Sequence, residues 1–453
     1  MILAPILAHG LPSPPGIPVP GYLFAWAAAI VLVASFSALG ALWREPRLED
    51  AETQRLLRLA VWVQPACGLL GVATFALLVY AGLEGTPVPG RNLAPTFVYV
   101  VFWVGLVPVT VLLGDVFSLF NPWRAVGRAV GWLTRRVSDE WIAPPLAYPA
   151  RLGYWPAVAG LAAFAWLELV YPGRSAPDTV AAAAWVYAAA QLVGMALFGV
   201  DAWTRRGDAF SVYFGLFSRL SLVRLRGRDV FVGRPLSAAT ELPIGAGIVA
   251  VLCVMIGTTS FDGLSSTVQW SELAPDLQRA FTSLGVSAHG ATELAGTAGL
   301  AAMILLVAGI YRMGVSGMRS VDRGFRRDEL ARRFIHTLIP IAAAYVMAHY
   351  FTFLVFQGQA MDALVSDPLG HGSDLFGTAH AAIDYSLFSK AAVWYVQVGA
   401  LVCGHVGGLV LAHDRALAVY QAGRRATRSQ YWMLTVMVGF TSLGLFLLAS
   451  IKR

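Results

Sequence analysis

Apolar residues in this chain come in long runs separated by polar loops. Ten runs stand out, at roughly 21–43, 57–82, 93–114, 152–171, 178–200, 242–261, 290–313, 335–357, 391–413 and 430–451. Each is close to the ~20 residues that a helix needs to cross the hydrocarbon core of a bilayer. That core offers no water to backbone N–H and C=O groups, so such runs must be helical. The pattern predicts an all-α, polytopic transmembrane bundle of about ten spans. Residues 1–20, rich in proline, read as an external N-terminal tail, and 21–453 as a single transmembrane domain. A leader cleaved after Ala8, exposing His9 as a copper-binding N-terminus, is the alternative for that tail.

The loops set the orientation. Of the 33 Lys and Arg residues, all but Arg91, Arg174, Arg279, Lys390, Lys452 and Arg453 fall in the loops after the odd-numbered runs. Basic loops stay in the cytoplasm, so both termini are expected outside an inner (plasma) membrane. The net charge of +7 is therefore mainly a topology signal. Arginines such as Arg323, Arg326 and Arg327 suit anionic headgroups, while nothing points to nucleic acid. Acidic residues divide more evenly, which leaves the outer face locally acidic. A hydrophobic fraction of 57% and a mean hydropathy of +0.64 exclude an ordinary soluble enzyme. Cys67, Cys253 and Cys403 lie within the runs, too far apart for a CxxC site, and read as packing residues.

One internal echo appears. Gly114-Asp115-Val116-Phe117-Ser118 recurs as Gly207-Asp208-Ala209-Phe210-Ser211, and each copy leads into an aromatic and basic stretch. Both are expected to be interfacial helices, near 117–136 and 208–226, with Asp or Ser capping their starts.

The candidate chemistry gathers at the outer side. His289 precedes Glu293 by four residues, and His380 precedes Asp384 by four. On a helix each pair shares one face. With His349 as a fifth group they would form a nitrogen–oxygen site suited to a divalent metal such as zinc. Asp262, where the sixth run ends, joins them as a candidate base, and Asp362, Asp367, His371 and Asp374 as outer-loop contacts. Polar groups inside the runs form a second set: Glu168, Gln191, Gln64, His349 and His405. An ionisable intramembrane residue is a functional candidate by default. Glu168 sits near a helix end and is expected to snorkel to the headgroups. His349 and His405 would serve a proton relay, or less simply ligate haem, for which a second helix with matched histidines is missing. For this set the competing reading is a hydrogen-bonded packing pair, as for Gln191. After the ninth run, Arg415 reads as a topology anchor with Asp414 as its local partner. P-loop, GxSxG and HExxH signatures are absent.

Several segments together resemble a family of actinobacterial polytopic membrane proteins labelled fenitrothion hydrolase. They are His9-Gly10, Pro20-Gly21-Tyr22-Leu23-Phe24-Ala25-Trp26, the tract Gly114 to Trp123, and His349-Tyr350-Phe351-Thr352-Phe353. The tract from Trp394 through Gly404-His405-Val406 to His413-Asp414-Arg415 completes the likeness, which covers most of the chain. It implies a membrane-bound hydrolase of lipophilic organophosphorus esters and assigns no catalytic residues. The leading expectation is thus a metal-assisted hydrolase at the outer face, with His289, Glu293, His349, His380 and Asp384 as ligands and Asp262 as base. A secondary transporter or metal-handling permease is the alternative, and a subunit of a membrane redox or assembly complex, with a membrane-protein partner, the third.

Overall fold

The computed structural model describes residues 21–49, 51–138, 144–321, 323–420 and 423–449. The expected tail at 1–20, with His9, lies outside them. The apolar runs are helices: α1 (Gly21–Leu42), α2 (Val63–Glu84) and α3 (Leu93–Leu113), followed by the amphipathic α4 (Pro122–Ser138). Next come α5 (Trp155–Leu169), α6 (Pro177–Phe198), the short α7 (Ala209–Phe217), α8 (Ile248–Ser265) and α9 (Val268–Ser283). The chain closes with α10 (Ala288–Val321), α11 (Arg327–Gln357), α12 (Lys390–Tyr420) and α13 (Gly423–Ala449). Among the described residues seven of these, α2, α3, α6, α8, α10, α11 and α12, are long and apolar enough to cross a membrane. The protein is all-α in its bulk and suited to a bilayer.

Two helices are central. In α8, 78% of the most apolar window is buried inside the protein, and in α11 72%, against 28–39% in the other five. The rest therefore present much of their surface outward, as lipid-facing helices do, while α8 and α11 form the core. Both α3 and α11 contain a stretch of wider π-helix, at Phe97–Gly105 and Phe353–Gln357, and the two stretches pack together. Such turns are frequent at functional sites.

Small residues let α11 and α12 approach closely. A Cβ on Gly404 would strike the Ala344 methyl and the Pro340 carbonyl oxygen, so only glycine fits. Gly404→Val is expected to cost about 1–3 kcal/mol by overpacking, read as an earlier melt in detergent.

The arginine-rich loops carry structure that the hydropathy pattern did not announce. Among the described residues they hold a three-stranded antiparallel sheet, order β1-β3-β2, from β1 (Gln54–Arg58), β2 (Val223–Arg226) and β3 (Asp229–Val232). Arg226 pairs with Asp229 across a two-residue turn in which Gly227 adopts φ +63°, the left-handed geometry that tight hairpins require. Gln64 donates to the Gly227 carbonyl at 2.7 Å, which ties α2 to this turn.

The echo proves to be a junction. Its first copy is helical, at Phe117–Phe120 and in α4, with Asp115 accepting from the Ser118 amide. The second departs from the expected interfacial helix over 208–226: α7 is driven into the core, with Tyr213, Phe214 and Phe217 at 1% exposure or less, and 223–226 is strand. A nine-residue helix cannot span a bilayer, but here α3, α5 and α11 surround it. Tyr213 stacks on Trp103 with ring centroids 4.4 Å apart. The fully buried Asp208 joins the two copies. Its carboxylate accepts from Asn121 Nδ2 and Trp123 Nε1 of the first copy, from Tyr187, and from Ser211 and the Phe210 amide of its own.

The His413-Asp414-Arg415 tract is also structural. Asp414 accepts from Trp43 Nε1 and from the Arg47 and Leu48 amides, rather than from Arg415. His413 Nε2 meets the Trp43 carbonyl and Nδ1 meets Gln430. Arg415 binds Glu49 at 3.1 Å and the Thr240 carbonyl. The first helix is thereby fastened to the last two.

Candidate functional site

The sequence of α8 turns from aliphatic to polar at Thr258-Thr259-Ser260-Phe261-Asp262. Thr258 and Thr259 return their hydroxyls to the Met255 carbonyl, so they keep the helix closed. Asp262 stays within the core at 1% exposure. On α11 one helical step brings His349 and the next Tyr350. His349 Nε2 stands 3.0 Å from Asp262 Oδ2, and the Tyr350 hydroxyl bonds the same carboxyl group. The side chains of His349 and Asp262 are 10% and 2% exposed. The His349 ring packs edge to face on Tyr350, with centroids 4.7 Å apart.

A carboxyl group is expensive to bury without partners, and this one has two. A 3.0 Å contact between a ring nitrogen and a carboxyl oxygen needs one proton between them, carried by either group. The pair thus shares one proton in this hydrogen bond. The π-helical stretch of α11 begins three residues past Tyr350, so the pair sits beside the least regular turn of that helix.

Glu168 of α5 belongs to the same neighbourhood. It lies within electrostatic reach of Asp262, Tyr350 and Tyr213, and of Arg174 in the following loop. It therefore faces the interior polar groups, where the sequence suggested that it snorkels. Tyr99 donates to the Arg174 carbonyl at 2.8 Å and closes this edge of the site. Ser260 Oγ is buried with no hydrogen-bond partner among the described residues.

Tyr99 and Phe164 also line an open cleft of about 760 Å³ between α2, α3, α5 and α6, with exposed Leu70 and Val186 at its mouth. Its walls are apolar, among them Phe75, Phe102, Phe117, Trp123 and Phe210. A space of this size and lining suits a lipophilic molecule. Tyr99, in the wall of this cleft, lies within electrostatic reach of Glu168. Compared with protein-family models, curated proteins and solved structures, the chain matches none.

The remaining expected ligands stand elsewhere. His289 and Glu293 do pair at 3.4 Å on the first turns of α10, but His289 is 70% exposed. His380 and Asp384 lie in turn and coil, so the helical face inferred from their spacing does not exist. Asp384 caps its own loop. The Ser386 hydroxyl and amide donate to it and hold its carboxyl below the usual range. Asp367 and Asp374 likewise accept loop amides. Among the described residues no three His, Cys, Asp or Glu side chains gather with metal-holding geometry. The five residues expected to bind zinc do not form one site in this conformation.

Two further intramembrane candidates have local roles. Gln191 accepts from Trp203 Nε1 at 2.8 Å. His405 is wholly buried, with Nδ1 against the Leu401 carbonyl at 2.6 Å and Nε2 without a partner among the described residues. The Tyr350 contact was not foreseen. Neighbouring helical residues point about 100° apart, and only a group lying between both directions, here Asp262, brings them together.

Proposed function

We propose that this protein is a proton-coupled membrane carrier of a small lipophilic solute. Ten spans, with both termini outside and the arginine-rich loops in the cytoplasm of an inner-membrane-bounded cell, accord with the loop charges. The observation that carries the reading is the buried Asp262–His349 contact between the two most enclosed helices. Ionisable groups in such places mark proton or substrate pathways. Glu168 extends the protonatable set toward Tyr99 in the wall of the apolar cleft, which would supply a place for the solute.

The test is reconstitution in liposomes containing a pH-sensitive dye, with lipophilic solutes applied one at a time. His349→Ala is expected to reduce solute-driven pH change about tenfold or more, the usual scale for losing a positioned proton carrier. A wild-type protein that moves no protons with any solute, or a His349→Ala variant as active as wild type, would sink the proposal.

The hydrolase implied by the family resemblance keeps one observation in its favour. A histidine ring held by a carboxylate, as His349 is by Asp262, is also how a general base is oriented. Release of product from a chromogenic organophosphorus ester by purified protein, without any proton movement in liposomes, would decide for that reading.

A further inference from the structure

At the arginine-rich end, a second pocket of about 320 Å³ lies between the loop after α3, α7 and β2. Its lining includes Arg124, Arg205, Arg219, Arg224 and Arg226, but only two carboxylates, Asp115 and Glu241. Glu241 is already engaged, at 2.6 Å by Arg224 and 3.2 Å by Arg226. Asp115 is pushed up by burial, toward its neutral form, against the lowering effect of its Ser118 bond. Five guanidinium groups face these two carboxylates and Asp201, which stands 3.8 Å from Arg124, so the wall keeps a positive excess. Loop topology explains arginines on this side of the protein. It does not explain why they converge on a cavity.

The hydrogen bonds of these arginines are incomplete. Arg124 Nη1 donates to the Ser118 carbonyl and Arg219 Nη1 to the Ala238 carbonyl, each at 2.9 Å. Arg124 Nε and Arg224 Nε are buried with no partner among the described residues. Buried donors are rarely left unmet in folded proteins. Burial also holds the Arg124 and Arg219 guanidinium groups below their usual range, a cost that a bound anion would offset. The hydroxyls nearby do not compete, since Ser118 and Ser218 return theirs to backbone carbonyls and Ser211 to Asp208.

We infer that this pocket binds a phosphate-bearing anion. Guanidinium groups match phosphate oxygens in pairs, and the volume admits a phosphate with a small substituent. The same chemistry is offered by soluble phosphate compounds and by the headgroup of an anionic lipid. The site is independent of the proton pair and of the solute.

The full chain in neutral detergent serves for the test, with two probes. One is inorganic phosphate, followed by the rise in melting temperature with concentration. The other is phosphatidic acid, followed by native mass spectrometry of the retained complex. Arg124→Gln and the exposed Arg205→Gln are compared with wild type, the second because a rim substitution leaves the fold intact. The expected result is that at least one probe binds wild type and that both variants weaken it about tenfold or more, the scale of one lost charge-assisted contact. Binding of inorganic phosphate identifies a soluble source, and binding of phosphatidic acid alone identifies a lipid. Neither probe binding, or unchanged binding in Arg205→Gln, overturns the inference.

Discussion

Asp262→Asn is expected to abolish solute-driven proton movement while leaving the bundle folded. An amide has the shape of the carboxyl group and still reaches His349 and Tyr350, the two partners of Asp262. It holds no charge and carries no exchangeable acid proton. The expected fall in coupled flux is about 100-fold, within the range for removing a proton-transfer group. Asp262→Ala differs in kind, because it leaves the ring of His349 and the Tyr350 hydroxyl buried without their partner. Breaking a buried pair in this way costs about 3–5 kcal/mol, so alanine is expected to lose both flux and stability. Flux in liposomes and melting in detergent, measured on the two variants side by side, separate the effects. An Asp262→Asn protein with wild-type flux would remove the pair from the mechanism.

The largest effect on stability is expected at Asp208. Its buried carboxylate takes hydrogen bonds from Asn121, Trp123, Tyr187, Ser211 and the Phe210 amide. Asp208→Ala strips Trp123, Tyr187 and Ser211 of their acceptor, while Asn121 keeps Ser211 and the Phe210 amide keeps Tyr187. Each unmet buried donor costs about 1–3 kcal/mol, and even with relaxation the sum is comparable with the ~5–15 kcal/mol that holds a typical fold. Little folded protein is expected in the membrane fraction, whereas Asn121→Ala, which removes one donor, is expected to fold and melt modestly earlier. An Asp208→Ala protein that purifies and melts like wild type would show that the junction between the echo copies is dispensable.

The helices could be read from the sequence because a membrane span needs only length and apolarity, and Val63–Glu84 or Pro177–Phe198 satisfy both. The strand Gln54–Arg58 could not. Five residues, all exposed and two of them arginines, show no hydrophobic face, and their partner lies in a loop far along the chain. Asp208 to Phe217 was misread for a related reason. Nine apolar residues are too few to span, which suggests an interfacial helix, while burial depends on the surrounding helices. In the site, Asp262 and His349 stood out as polar groups near the same end of apolar runs. Their pairing across 87 residues is a property of packing that spacing does not reveal. The His380–Asp384 spacing misled because it presupposed a helix where the chain forms turns.

The fastening of α1 bears on how the protein is made. Trp43, at the end of that helix, bonds to Asp414, 371 residues later. At the ~5–20 residues per second typical of ribosomes, α1 emerges on the order of 20–70 s before its anchor exists. During that interval its contacts with α12 and α13 are unavailable, and lipid or an insertion chaperone must shelter the face that they later cover. A helix made long before α12 and α13 thus reaches its native place only after them.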